Sequence, residues 1–176
     1  MNDVAESATV SGQSHLTTHP RPLWAPWRIE YIVGPKDGRC FLCDKGAGES
    51  AADHVVCRGR SCYVLLNDFP YNSGHLLVAP YRHIAGLTDL SDEERNELMA
   101  LLVQSTVVLR RLMSPQGFNL GFNLGEAAGA GLAEHVHGHV VPRWAGDTNF
   151  MSVLSDTRVV PEALDATAER IRAAWD

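Results

Sequence analysis

Between Gly117 and Gly125 the chain reads GFNLGFNLG, with apolar and small or polar residues in strict alternation. A repeat of four is compatible with a helix, but glycine weakens helices, and alternation is the period of a strand. Phe118, Leu120, Phe122 and Leu124 then share a face directed at the core, and Asn119, Gly121 and Asn123 share the outward face. Two apolar runs upstream, SCYVLLN (61–67) and HLLVAP (75–80), predict strands joined by the turn-forming DFPYNSG into an antiparallel hairpin. From Ser91 the period changes. Leu98, Leu101, Leu102, Leu109 and Leu112 have helical spacing, and Ser91 with Glu94 forms a capping box. Acidic residues fill the first turn, and Arg110 and Arg111 lie near the C-terminal end, as the helix dipole favours. HVHGHVVP (135–142) predicts another strand, and Leu164, Ala168, Ile171 and Trp175 predict a short C-terminal helix. The expected fold is α+β: an antiparallel sheet of about five strands, a long helix packed on it, and a short C-terminal helix.

With 176 residues, 45% hydrophobic and 20% charged, the chain suits one globular domain with a real core. We expect a lead-in without fixed structure over 1–20 and a single domain over 21–176, its first ordered segment carrying Trp24 and Trp27. A net charge of -6 argues against binding a nucleic acid polymer, which needs a positive field. It leaves open a small phosphorylated ligand held by local donors. No run is long and apolar enough to span a membrane, and the polar N-terminus has no signal-peptide pattern. The expected location is the cytoplasm, where four cysteines read as reduced thiols or metal ligands.

The chemistry centres on EHVHGHVVPRW (134–144). Alternation puts His135, His137 and His139 on one side and Val136, Gly138 and Val140 on the core side. Successive same-face residues are roughly 7 Å apart, too far for three imidazoles to share one metal and well suited to three tasks along an elongated ligand. The preceding GEAAGAGLAE offers backbone N–H groups with little bulk, a way to hold anionic oxygens. A neutral imidazole is a competent nucleophile at pH 7. The combination points to phosphoryl or nucleotidyl transfer.

These residues resemble the histidine triad family. His135-Val-His137-Gly-His139-Val-Val141 is similar to its signature of three histidines alternating with apolar residues. Gly138 departs from that signature where an apolar side chain is expected. LLNDFPYNSGHLLVAPYRHIAGLTDLS resembles the family's first hairpin, and GFNLGFNLG its penultimate core strand. LWAPWRIEYI and PRWAGDTNFM resemble the bacterial branch that contains diadenosine tetraphosphate phosphorylases. The resemblance implies that His137 takes up a nucleotidyl group and that His139 contacts the phosphate under attack. It implies phosphate binding by Asn123 and by the backbone of Gly131 and Leu132, and ribose binding by Asn67. Trp144 is a candidate to stack on a base, and Arg143 to steer phosphate. The implied reaction is attack on a dinucleoside polyphosphate, with inorganic phosphate as acceptor, in a homodimer. Hydrolysis of dinucleotides or of nucleoside phosphoramidates is the alternative within enzymes. A non-catalytic nucleotide-binding protein is the alternative outside them.

Cys40-Phe-Leu-Cys43 has the gap of a zinc half-site, a spacing that also serves redox thiols. Some relatives complete such a site with a histidine after the second strand of the hairpin and the first histidine of the triplet. His83 and His135 hold those positions here, which implies a structural Cys₂His₂ zinc. Cys57 and Cys62 read as strand or core residues, and His15, His19 and His54 as solvated.

Overall fold

The computed structural model describes residues 39–48, 50, 53–147 and 163–175. Expectations for the lead-in, for Trp24, Trp27, His15 and His19, and for the end of PRWAGDTNFM lie outside these residues. The elements are α1 (Phe41–Ala47), β1 (Val55–Arg58), β2 (Cys62–Leu66), β3 (Leu76–Pro80), α2 (Asp92–Met113), β4 (Gly117–Phe122), β5 (Gly138–Arg143) and α3 (Leu164–Ala173). The strands form one five-stranded sheet in the order β1-β2-β3-β5-β4, with every pair antiparallel.

β2 and β3 are buried at every residue, which explains their continuous apolar runs. Cys62, Val64, Leu66, Leu76, Val78 and Val140 meet α2 and α3 through Leu98, Leu102, Val108, Leu109, Ala168 and Ile171. Tyr63, Leu65, Leu77 and Ala79 face the other way and pack with Leu42 of α1. Burying each such side chain stabilises the fold by about 1.5–3 kcal/mol. The capping box at α2 is present: Ser91 Oγ accepts from Glu94 N at 3.2 Å and the Glu94 carboxylate accepts from Ser91 N at 2.7 Å. Glu97, one turn on, accepts the N–H groups of Arg60, Ser61 and Cys62, tying the β1–β2 turn to α2.

Three expectations are corrected. Phe118 and Phe122 pack on the core, but Leu120 and Leu124 are 48% and 46% exposed. β4 is the edge of the sheet, where alternation alone does not guarantee a covering layer. Next, the ladder of β5 starts at Gly138, so His135 and His137 precede it rather than lie in it. The alternation persists because Val136 donates to the Ile84 carbonyl at 2.7 Å and buries its side chain in the core. Finally, His54 is not solvated. Its Nδ1 and Nε2 each lie 2.8 Å from a carboxylate, of Asp68 and Asp165 respectively. Burial pulls its pKa down, but the two carboxylates outweigh that and raise it.

Gly138 has a steric cause. A Cβ there would sit 2.9 Å from a ring carbon of Phe122 and 3.1 Å from a methyl of Leu102. The phenylalanine fills the space that an apolar signature residue would need.

Candidate active site

The sheet face opposite α2 carries a cleft of about 510 Å³, lined by Phe41, Asn67, Phe69, Tyr71, Leu77, Asn123, Gly131, Leu132, His137 and His139. Phe41, Phe69, Tyr71 and Leu77 give it aromatic and aliphatic surface, and Asn67, Asn123, His137 and His139 give it amides and imidazoles. Apolar surface suits a base, and polar groups suit phosphates.

His137 lies in the wall of this cleft, only 8% exposed. Its Nδ1 is 2.8 Å from the His135 carbonyl, which can only accept, so Nδ1 carries the proton and Nε2 keeps its lone pair. Burial lowers the pKa of His137, against the opposing effect of that carbonyl. At neutral pH the ring is therefore an uncharged imidazole with Nε2 unprotonated.

His139 sits opposite Leu77 on β3 and Gly121 on β4, with its ring centroid 5.0 Å from that of His137. Its Nδ1 is 3.0 Å from Nε2 of His75, which is fully buried. His75 Nδ1 must be an acceptor, because the backbone N–H of Tyr71 points at it from 3.0 Å. Asn67 Nδ2 adds a second donor at 3.2 Å, and the Asn67 carbonyl end accepts from Phe69 N, which fixes the amide's orientation. His75 therefore donates through Nε2 to His139, whose own proton is left on Nε2. Tyr71 stacks on both rings, at centroid distances of 4.7 and 5.9 Å. The sequence reading missed His75. Its signal was present, since HLLVAP starts with an imidazole at the buried end of a strand.

Asn67, Asn123, Gly131, Leu132, His137 and His139 are thus brought to one cleft. Trp144 is not among its lining residues: its indole N–H donates to the Met113 carbonyl at the end of α2, 3.3 Å away. Phe41 and Phe69 supply the aromatic surface that was sought in the tryptophans.

Cys40, Cys43, His83 and His135 come together from three places in the chain, with one donor atom from each, all within 4.8 Å of one another. Cys40 Sγ is 3.2 Å from Nδ1 of His135, and Cys43 Sγ is 3.4 Å from Nδ1 of His83. Nε2 of His135 donates to the Pro80 carbonyl at 2.9 Å, leaving Nδ1 as a lone pair facing the thiols. That outer hydrogen bond is what a metal-ligating histidine needs. Burial and the neighbouring Cys40 thiol push Cys43 up to about 11, so a metal ion bound here would have to displace its proton. Two thiols and two imidazoles fit tetrahedral zinc.

An imidazole with an unprotonated Nε2, a second imidazole beside it and the loop residues Gly131 and Leu132 meet in one cleft. Residues 49–146 match the HIT domain, and the chain belongs to that family. It is 40% identical over 166 residues to the AP-4-A phosphorylase of Mycobacterium tuberculosis (strain ATCC 25618 / H37Rv), covering 87% of this chain and 83% of the relative. A zinc-bound histidine triad family protein from Mycobacterium smegmatis superposes with a TM-score of 0.62 at 25% identity, covering 78% of this chain and 94% of that one. A hypothetical histidine triad nucleotide-binding protein from Sulfolobus tokodaii strain7 has the same fold, with a TM-score of 0.62 at 22% identity over 77% of this chain and 91% of that one.

Proposed function

We propose that this chain is a dinucleoside polyphosphate phosphorylase that works through a nucleotidyl-histidine. The observation that carries this reading is the tautomer of His137, whose Nε2 lone pair is held in the cleft by the bond from Nδ1 to the His135 carbonyl. In diadenosine tetraphosphate, Nε2 attacks the α-phosphorus of one adenylyl unit. A P–N bond forms, the P–O bond to the bridging oxygen breaks, and ATP leaves. An oxygen of inorganic phosphate then attacks the same phosphorus, the P–N bond breaks, and ADP is released with His137 restored. His139 donates its Nε2–H to the phosphoryl oxygens as charge builds on them. Asn123 and the backbone of Gly131 and Leu132 hold the remaining oxygens, Asn67 holds the ribose, and Phe41 and Phe69 flank the base. The choice of phosphate over water is supported by the similarity to the mycobacterial phosphorylase.

Zinc at Cys40, Cys43, His83 and His135 is structural in this reading and joins α1, which carries Phe41, to the histidine run. The working unit is a homodimer. Met99, Val103 and Val107 on α2 expose apolar side chains, between 52% and 56%. A second copy covers such a surface better than water does. A single domain over 21–176 and a cytoplasmic location complete the reading. Among the described residues no helix is long and apolar enough to cross a membrane.

The test is a digest of diadenosine tetraphosphate with labelled phosphate. Labelled ADP with unlabelled ATP is the expected product pair. AMP without label would make the enzyme a hydrolase, and full turnover by His137→Ala would end the covalent mechanism.

A further inference from the structure

A second hollow of about 810 Å³ adjoins the first, lined by Tyr71, Asn119, Leu120, Gly121, Phe122, Asn123, His139, Val141 and Arg143. It shares Tyr71, Asn123 and His139 with the nucleotide cleft, and His137 lines only the first of the two. We propose that this second hollow is the subsite for the leaving polyphosphate and its nucleoside, with Arg143 as its charged contact. The proposal rests on the functional reading above.

The direction of the reaction supports it. Displacement at phosphorus runs in line, so the leaving oxygen lies opposite the attacking Nε2. With the nucleoside on the Phe41 side and the reacting phosphorus at His137 and His139, the expelled chain passes His139 away from His137. That is where the second hollow begins.

Its surface is built for a polar, elongated group. The register Asn119↔Val141 and Gly121↔His139 puts the outward side of β4 beside the outward side of β5. A Cβ at Gly117 or Gly121 would meet nothing within 4 Å, so the face is open next to His139. Arg143 lies four steps along the strand from His139, about 14 Å of backbone. A triphosphate with its nucleoside spans that distance.

Arg143 is oriented rather than loose. Nε and Nη2 donate to Asp147 at 2.5 and 3.0 Å, and Nη1 donates to the Asn119 side-chain carbonyl at 2.8 Å. Asp147 is in turn held by Asn72 Nδ2 at 2.8 Å and its side chain is only 8% exposed. Three of the five guanidinium N–H groups are used in this way, and two remain to meet an anion. Asp147 offsets part of the positive charge, so Arg143 recognises phosphate through aimed donors more than through a long-range field.

The test compares two substrates that share the adenylyl unit and differ in what leaves. One is diadenosine tetraphosphate; the other is an adenosine phosphoramidate with a small amine leaving group. For Arg143→Gln, the ratio of kcat/KM on the first to kcat/KM on the second should fall about tenfold or more, the size of a lost charge-assisted hydrogen bond. Arg143→Lys, which keeps the charge without the fork, should recover part of that ratio and confirms that the chain still folds. Equal losses on both substrates, or no loss on either, overturn the subsite. A wild-type protein that turns over neither substrate overturns the functional reading itself and the subsite with it. An active wild type with an unchanged ratio overturns the subsite alone.

Discussion

Nε2 of His75 donates a hydrogen bond to Nδ1 of His139 across 3.0 Å, and both nitrogens are assigned by the donors that surround His75. In its neutral form His139 then carries its proton on the far nitrogen. In the proposed mechanism this makes His75 a positioning residue for the group that would meet the phosphate.

His75→Leu should leave Nδ1 of His139 without that donor, at a cost of about 1–3 kcal/mol for an unsatisfied buried acceptor. We expect kcat on diadenosine tetraphosphate to fall by about tenfold or more while KM changes little, because the donor acts as charge develops. Nitrogen-15 NMR of the histidines reads the cause directly: the Nε2–H form of His139 should give way to a mixture. His75→Gln, which can present an N–H at the same place, should restore part of kcat. An unchanged NMR pattern in His75→Leu would leave His75 a packing residue.

Purified protein should carry about one zinc per chain, bound by four ligands. Removing it with a chelator should lower the melting temperature and weaken nucleotide binding, since Phe41 follows Cys40 directly and lines the cleft. Cys40→Ser should lose the metal and show the same fall. A metal content well below half an equivalent, unaffected by Cys40→Ser, would remove zinc from the account.

Acid stability should depend on Glu94. The Arg82 guanidinium, against the opposing effect of burial and with help from Ser91 N–H, holds this carboxyl at about 2 rather than its ordinary 4.5. Arg82 meets it through two bonds, at 2.8 and 2.7 Å. A carboxyl more acidic in the folded state stabilises the fold fully above its unfolded value. That contribution is lost as pH falls from 4.5 toward 2. Denaturant melts across this window should show a stability slope that Glu94→Gln flattens. An identical slope in the variant would assign the acid limb to other groups.

Much of this site was legible from one strip of sequence, because alternation is a local property. His135, His137 and His139 had to share a side, and Val136 and Val140 had to oppose them. His75 was not legible as a partner of His139, since 64 residues separate the two and only the β3–β5 pairing brings them together. The candidate metal cluster was named in full, but only Cys40 and Cys43 by their local spacing; His83 and His135, whose approach is tertiary, came from the family resemblance. Leu120 and Leu124 misled for a related reason. A strand's alternation tells which residues share a face, but not whether a helix lies over that face at the edge of the sheet.

Gly138 gives the last prediction. Its missing side chain is matched by Phe122, which faces it across the β4–β5 pair, and by Leu102 from α2. Adding a valine there puts a Cβ against the Phe122 ring and the Leu102 methyl, and overpacking of this kind costs about 1–3 kcal/mol. Gly138→Val should therefore lower the melting temperature, although it restores the apolar residue that the signature expects and adds strand propensity. Phe122→Leu alone should also destabilise, by opening space. Together the two changes should cost less than the sum of each alone, which is the sign of a shared volume. Additive losses would mean that Phe122 does not occupy the space left by the glycine, and that the departure from the signature has another cause.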